Sequence, residues 1–342
     1  MSFSFGFCVD EEGVPGEHAS VAQTSPIQDP CNMPAKELFL SDMLTCIPEK
    51  LSYSPVLISQ ASEPVTLVRR DLFDVRFQII HNDGQVADAE SDLIPGVYEG
   101  GLKTWECALD LVVELDKLHT RVSSQDATWP SGRHTVELGC GTAIPSCYVL
   151  DQILRARQSS KGKSTLTLCD YNQEVLSLVV LPNLLLTWYF SPSGRETLGH
   201  SQSAIEPGEL EVDENLLLKF QHALASHEIE LRFFYGGWDS LHLANRADLV
   251  LSSETVYSLS SLPSLCRVLH SLCWPTSKDQ HDAGIAPNST LCLVAAKVLY
   301  FGVGGGVDAF VRELEMQGGW HSQKRTQVMG VGRAVIQAGW LT

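Results

Sequence analysis

The chain has 342 residues, of which 44% are hydrophobic and 19% are charged, and its formal net charge is −17. This composition allows a large buried core, in one large domain or about two average ones. The acidic balance argues against direct nucleic-acid binding, which needs clustered Lys and Arg, and favours a basic protein partner. No window offers the roughly 20 apolar residues of a membrane span, so no membrane partner is expected.

The ten cysteines include no Cys-x-x-Cys pair. A zinc site and a secreted disulfide framework are therefore not expected, and reduced thiols in the cytoplasm or nucleus are predicted. The eleven histidines include no His-x-x-x-His helix pair. No metal site is predicted from them.

The first part of the chain differs in composition from the rest. Residues 1–62 are rich in Pro, Ser, Glu and Asp and are predicted to be a partly disordered extension, followed by one domain over residues 63–342. Within the extension, residues 35–51 place apolar side chains on one side of a short helix. Residues 65–68 and 75–80 are predicted strands.

From the middle of the chain onward, short apolar runs alternate with helical patterns. This alternation predicts a parallel sheet that helices cover on both faces. The predicted strands are 135–138, 165–169, 229–234, 248–251 and 290–296, and the main helices are 146–156, 175–189, 262–272 and 307–316.

Three further segments depart from this alternation. Residues 191–214 and 275–289 are polar and are predicted surface insertions. Residues 327–329 and 333–336 flank two glycines and are predicted to pair as antiparallel strands at the sheet edge.

A glycine turn follows the strand at 135–138, in the sequence Val136-Glu-Leu-Gly-Cys-Gly-Thr-Ala. Gly139 and Gly141 permit a close backbone approach, and the next helix presents its N-terminal N–H groups to a ligand. Asp170 ends the next strand, where a carboxylate can accept both ribose hydroxyls of a nucleoside. The turn and this acid together predict a nucleoside-binding site.

Six motifs of the chain resemble those of the protein-histidine N-methyltransferases, over about residues 35–342. They are Tyr98-Glu-Gly-Gly-Leu-Lys-Thr-Trp-Glu-Cys, Val136-Glu-Leu-Gly-Cys-Gly, Cys169-Asp-Tyr-Asn, Leu181-Pro-Asn, Asp248-Leu-Val-Leu-Ser-Ser-Glu-Thr-Val-Tyr and Tyr300-Phe-Gly-Val-Gly-Gly-Gly. The resemblance implies a Rossmann-like, seven-stranded, mainly parallel sheet with an antiparallel C-terminal edge. It also implies S-adenosyl-L-methionine as cofactor. Ala143 stands where the pattern usually has a third glycine.

The candidate cofactor-binding residues follow from these motifs. Glu137 is placed to bind the charged amino group of the methionine moiety. For Trp105 and Trp238, the alternative to cofactor binding is ordinary packing in the core. For Asn172, the alternative is a structural role in a local turn. The full predicted set is Trp105, Glu137, Gly139, Gly141, Asp170, Asn172, Trp238 and Ser252.

Glu254 is the candidate catalytic residue. Methyl transfer from a sulfonium needs mainly alignment of donor and acceptor, and a neutral imidazole is a good nucleophile near pH 7. Glu254, at the end of a predicted strand, is predicted to orient the target imidazole, and Thr255 and Tyr257 to shape its pocket. The alternative is that Glu254 caps a helix or pairs with a loop cation.

The resemblance implies a substrate as well, namely one histidine of a basic large-subunit ribosomal protein. Two alternatives stay open: a protein-lysine methyltransferase of the same fold, and a non-catalytic module that binds a ribosomal protein. The glycine run at 302–306 is predicted to be either a flexible rim over the substrate site or a structural turn.

Overall fold

The computed structural model of the chain describes residues 33–61, 64–75, 100–123, 126, 128–156, 162–200, 205–275, 288–302, 304–326 and 332–341. The strands are β1 (Lys36–Leu38), β2 (Lys50–Ile58), β3 (Val65–Arg70), β4 (His134–Leu138), β5 (Ser164–Asp170), β6 (Gly208–Glu211), β7 (Ile229–Tyr235), β8 (Leu249–Ser253), β9 (Leu291–Lys297), β10 (Gly319–Thr326) and β11 (Arg333–Trp340). The helices are α1 (Leu40–Leu44), α2 (Glu106–Val122), α3 (Ile144–Arg155), α4 (Gln173–Phe190), α5 (Pro192–Leu198), α6 (Glu214–Ser226), α7 (Leu262–Leu272) and α8 (Val307–Met316).

The central sheet has eight strands in the order β1-β7-β5-β4-β8-β9-β11-β10. The five strands from β7 to β9 are parallel, and β11 and β10 form an antiparallel C-terminal edge. This confirms the predicted Rossmann-like architecture. The eighth strand, β1, comes from the predicted extension and pairs antiparallel with β7.

Two apolar layers hold the helices against the sheet. On one face, Leu166 and Leu168 of β5 pack in a cluster with α2, α3 and α4. On the other, Val136 and Leu138 of β4 pack in a cluster with α7 and α8. Because successive side chains of a strand point to opposite faces, strands buried on both sides are apolar almost throughout. The helices therefore cover both faces, as predicted.

Among the described residues, one helix, α4, combines high apolarity with the length of a membrane span. Its 18 residues meet the length and composition criteria, although no apolar window of about 20 residues was expected from the sequence. In the fold, 78% of this segment is buried. Its middle turn, Leu176–Val180, is a π-helix, and the Leu178 carbonyl accepts a hydrogen bond from the buried Arg70 at 2.8 Å.

A second sheet, β3-β2-β6, corrects several local predictions. The segment at 35–51 contains β1 and the short α1 and reaches β2, so the predicted single helix is wrong. The predicted insertion at 191–214 contains α5 and β6, and β6 pairs with β2. The division of the chain at residues 62 and 63 stays a prediction.

Other predicted segments lie partly outside the described residues. Val75 ends a short helical turn, and residues 76–80 of that predicted strand lie outside the described residues, as do 276–287 of the second insertion. The strand at 333–336 exists as the longer β11. Its antiparallel partner is β10, and residues 327–329 lie outside the described residues.

Removing Arg333 should strongly destabilise the fold. Arg333 donates to both oxygens of Asp110, at 2.6 and 3.2 Å, and thereby ties β11 to α2. The Asp110 side chain is only 4% exposed, so Arg333→Met leaves a buried, uncompensated carboxylate. We expect a loss of about 3–5 kcal/mol in the free energy of unfolding, measured by urea denaturation.

The matched control is Lys50→Met, which breaks the ion pair with Glu209 at 2.6 Å. Both of these side chains are more than half exposed, so the control should cost at most about 0.5 kcal/mol. Equal costs for the two variants would contradict the structural role of the buried pair.

Candidate active site

A cleft opens where the carboxyl ends of β4, β5 and β8 meet. The chain leaves β4 toward β5 on one side and β8 lies on the other, which is the switch point where open α/β sheets bind ligands. The cleft encloses about 600 Å³, including space open to solvent. Cofactor sites typically range from about 300 to 1,000 Å³. Residues after β4, β5, β7 and β8 and the segment before α2 line it.

The floor of the cleft is the glycine turn between β4 and α3. Gly139 and Gly141 have φ values of +62° and +51°, in the left-handed region that favours glycine. A Cβ on Gly139 would lie 2.3 Å from Cγ2 of Thr255, and one on Gly141 would lie 3.4 Å from Cα of Gly101. Backbone geometry therefore favours glycine at both positions, and a close neighbour requires it at Gly139 as well.

Ala143 has a left-handed backbone conformation, which glycine adopts most readily. Its φ is +52°, and it is the residue before the first turn of α3. A left-handed residue with a Cβ is strained by about 1–2 kcal/mol. The turn therefore holds a strained alanine at the position where the usual pattern has a glycine.

Asp170 closes the side of the cleft at the end of β5. Its Oδ2 accepts from the Gly141 N–H at 2.9 Å, and its Oδ1 accepts from the Asn172 N–H at 3.1 Å. Asn172 lies behind this loop, where its Nδ2 donates to the Gly100 carbonyl at 3.0 Å. The carboxylate is thus fixed at the cleft wall, and Asn172 supports the loop that carries it.

Ser252 and Thr255 lie behind the cleft wall. The Ser252 hydroxyl donates to the Leu138 carbonyl at 2.9 Å and lies 2.7 Å from the Thr255 hydroxyl. The methyl group of Thr255 packs against Gly139. Both side chains therefore hold β8 to the glycine turn, and their predicted contacts with donor and substrate stay predictions.

Glu137 is fully buried beside the N-terminus of α3. Its Oε2 accepts from the backbone N–H and the hydroxyl of Ser146, while Oε1 has no partner in the described structure. Burial raises the pKa of Glu137 to about 8, and the bonds from Ser146 only partly oppose this. It does not line the cleft, so its contact with an amino group stays a prediction.

The buried Glu137 should make stability depend on pH. Its pKa is raised from an ordinary 4.5, so the folded state keeps a proton that the unfolded chain releases. Stability is therefore lost as pH rises from about 4.5 to about 8. Relative to wild type, Glu137→Gln should gain about 2–5 kcal/mol of unfolding free energy over that range, measured by urea denaturation at several pH values.

The slope with pH is the diagnostic quantity, because the amide can add a constant offset. Glu211→Gln, at an exposed position of β6, is the matched control and should run parallel to wild type. Parallel curves for Glu137→Gln and wild type would contradict a buried, protonated carboxyl group.

Aromatic rings form another part of the cleft wall. The centroids of the Trp238 and Tyr171 rings lie 4.5 Å apart, and the angle between the two ring planes is 37°. The buried Nε1 of Trp238 has no hydrogen-bond partner in the described structure. Lys297 Nζ lies 5.3 Å from the centroid of the Trp105 ring, which also lines the cleft. Both tryptophans line the cleft, so packing and ligand contact are compatible for each.

Glu254 connects three elements at the mouth of the cleft. Its Oε1 accepts from the Cys107 N–H in the first turn of α2 at 3.3 Å, and its Oε2 accepts from the Tyr300 hydroxyl. It is 7% exposed and has a φ of +59°. The helix-capping role that the sequence left open is therefore present. Because Glu254 and Tyr257 also line the cleft, capping does not exclude a role toward substrate.

Tyr300 was not among the predicted site residues, although it lies in one of the motifs. Its oxygen accepts from the Lys297 N–H at 3.2 Å while its hydroxyl donates to Glu254. Burial and then the charge of Glu254 raise the pKa of Tyr300 well above its usual range. The phenol therefore stays protonated and remains a donor that fixes the carboxylate.

These groups fit the donor predicted from the sequence. A carboxylate beside a glycine turn suits a ribose, a flat aromatic wall suits a base, and the Trp238 Nε1 is a buried donor without an acceptor. Among the described residues, no group of three or more His, Cys, Asp or Glu side chains could hold a metal ion.

The strand order, the glycine turn and the cleft at the switch point define a class I methyltransferase fold. No protein-family profile matches the chain. Histidine protein methyltransferase 1 of Schizosaccharomyces pombe is 34% identical, with 98% of this chain and 92% of that protein covered. Its namesake in Saccharomyces cerevisiae is 31% identical, with 92% and 91% covered. The chain therefore belongs to the histidine protein methyltransferase family, and its activity is protein-histidine methylation.

Solved structures align at much lower identity. The N-methyltransferase NodS from Bradyrhizobium japonicum WM9, in complex with S-adenosyl-L-homocysteine, is 8% identical with a TM-score of 0.34, and 65% of this chain and 85% of that chain are covered. The glycopeptide N-methyltransferase MtfA complexed with S-adenosyl-L-methionine is 12% identical with a TM-score of 0.33, and 67% and 93% are covered.

Proposed function

We propose that the enzyme transfers a methyl group from S-adenosyl-L-methionine to one histidine of a basic large-subunit ribosomal protein. The observation that carries the chemical part is the placement of Glu254. Its carboxylate lines the nucleoside-binding cleft and is held from two sides by Cys107 and Tyr300. Family membership supports a histidine as the acceptor.

The chain's own residues would hold the donor along the cleft. Asp170 would accept hydrogen bonds from the ribose hydroxyls, and Trp238 would lie against the base with its Nε1 as a donor. The glycine turn brings backbone close to the ligand because Gly139 and Gly141 have no side chain. When bound, the donor supplies a methyl group on a positively charged sulfur.

Glu254 would then accept a hydrogen bond from one N–H of the target imidazole. This fixes the tautomer, so the lone pair of the other ring nitrogen faces the methyl group for an in-line displacement. The new N–CH₃ bond forms as the S–CH₃ bond breaks, and the ring proton passes to Glu254 or to solvent. A carboxylate oxygen accepts more than one hydrogen bond, so the contacts with Cys107 and Tyr300 leave room for the imidazole.

The charge of the protein supports a basic substrate. The net charge of −17 favours a basic protein partner, and ribosomal proteins are basic because they bind RNA. Such an enzyme would act in the cytoplasm or in the nucleus, where ribosomal proteins are made and assembled.

One experiment tests both levels of the proposal. The purified enzyme is incubated with radiolabelled S-adenosyl-L-methionine and ribosomal proteins from cells that lack it, and the labelled band is hydrolysed for amino-acid analysis. Methyl-histidine on one large-subunit protein is expected. Methyl-histidine only on another protein would overturn the ribosomal substrate. Methyl-lysine would overturn the acceptor, and no label despite donor binding would favour a non-catalytic binding module.

A further inference from the structure

Two adjoining loops beside the cleft carry exposed apolar side chains. One loop follows β8 and the other follows β9. Leu259 on the first is 53% exposed, and Leu299 and Phe301 on the second are 47% and 80% exposed. We call these three side chains the apolar rim. Solvent-exposed clusters of this kind mark interaction sites more often than isolated apolar residues do.

Backbone contacts hold the two loops together. The Gly305 N–H donates to the Tyr257 carbonyl at 3.0 Å, and Gly304 forms an antiparallel bridge with Ser258. A Cβ on Gly305 would lie 2.2 Å from the Tyr257 carbonyl oxygen, so glycine is needed for this approach. The apolar rim therefore sits on a braced surface, and a braced surface loses little conformational entropy when a partner binds.

The same loops build the mouth of the cleft. Glu254 and Tyr257 line the cleft on the first loop. On the second, Tyr300 lies between Leu299 and Phe301 in sequence and donates its hydroxyl to Glu254. The apolar rim is thus continuous with the place where the acceptor imidazole is proposed to bind.

The second loop is uncharged as well as apolar. No Asp, Glu, Lys or Arg occurs between Lys297 and Asp308. A partner that binds here gains little from ionic contacts and is recognised by the burial of apolar surface. The net negative charge of the protein can still attract a basic partner at long range.

We infer that the apolar rim docks an apolar side chain of the substrate protein, close in sequence to the target histidine. This inference rests on the proposed function, since a protein acceptor must approach the mouth of the cleft. Burying one large apolar side chain in a contact is worth about 1.5–3 kcal/mol, which corresponds to roughly a 10- to 150-fold change in affinity. The contact forms equally in the ground state and the transition state, so it should act on KM.

The test uses the full chain and the same acceptor mixture, the large-subunit ribosomal proteins of cells that lack the enzyme. Leu259→Ser with Phe301→Ser is compared with wild type at saturating donor. We expect the apparent KM for the acceptor to rise about 10-fold or more, with kcat within about twofold and an unchanged donor Kd. Leu218→Ser, at a position of α6 that is 57% exposed, is the matched control and should change none of these.

Each other outcome decides against the inference. An unchanged KM in the double variant, with wild type active, overturns the docking role and leaves the proposed function standing. A changed donor Kd or a kcat loss without a KM change shows that the rim supports the cleft and docks nothing. A wild-type dimer that the substitutions dissociate in sedimentation assigns the rim to a second copy of the chain. No methyl-histidine with wild type overturns the proposed function and this inference with it.

Discussion

Gly139→Ala should raise the Kd for S-adenosyl-L-methionine about 100-fold and lower the free energy of unfolding by about 2–4 kcal/mol. Two costs add. A Cβ at a φ of +62° is strained by about 1–2 kcal/mol, and the same atom would lie 2.3 Å from Cγ2 of Thr255. Because Gly139 lines the cleft, relief of this clash displaces the turn that receives the donor. Isothermal titration calorimetry and urea denaturation measure the two effects.

Two further variants separate the costs. Gly199 ends α5 with a φ of +72° and has nothing within 4 Å of an added Cβ, so Gly199→Ala reports the backbone strain alone. Thr255→Ser removes the clashing methyl group and keeps the hydroxyl that contacts Ser252. Combined with Gly139→Ala, Thr255→Ser should recover most of the unfolding free energy that is lost to the clash, together with much of the affinity for the donor. A double variant as weak as the single one would contradict this account.

Glu254→Gln should lower kcat about 100-fold or more while the donor Kd stays within about threefold. The amide oxygen can still accept from the Cys107 N–H, but the amide nitrogen cannot accept from an imidazole or take its proton. The side chain then meets the Tyr300 hydroxyl with a donor in place of an acceptor. The pH–rate profile should also change, because the group that receives the ring proton is gone.

Tyr300→Phe serves as the comparison variant, since it keeps the carboxylate and removes one of the donors that fix it. We expect a kcat loss of about 10-fold with the pH profile of wild type. Full activity and an unchanged pH profile in Glu254→Gln would show that this carboxylate only caps α2. A loss of donor binding in both variants would instead indicate that Glu254 supports the cleft as a whole.

The sequence predicted the central sheet well because its strands have an unmistakable pattern. Short apolar runs between helical patterns correspond to β4, β5, β8 and β9. Such runs are typical of strands that are buried on both faces of a parallel sheet. Of the candidate site residues, Asp170 ends β5 and Glu254 directly follows β8. Their shared position at one sheet edge followed from the parallel topology, and the structure places both at the same cleft.

Contacts between distant parts of the chain could not be predicted from the sequence. Tyr300 and Glu254 are 46 residues apart, and no local pattern marks such a pair. Asn183, fully buried, accepts from the Arg70 N–H at 2.7 Å and donates to the Thr142 carbonyl at 2.8 Å, which links β3 to the glycine turn. Strand β1 has only three residues, none buried, so it lacks the alternation that reveals a strand.

The pairing of β1 with β7 has a consequence for the order of events during synthesis. The ion pair between Glu37 and Arg232 joins residues 195 positions apart. At about 5–20 residues per second, a ribosome needs roughly 10–40 s to make the chain between them. Strand β1 is thus made well before the strand that it pairs with, and it stays without that partner for this time. In a chain cut after β1, the outer edge of β7 has no partner strand and is open to pairing with a neighbouring chain.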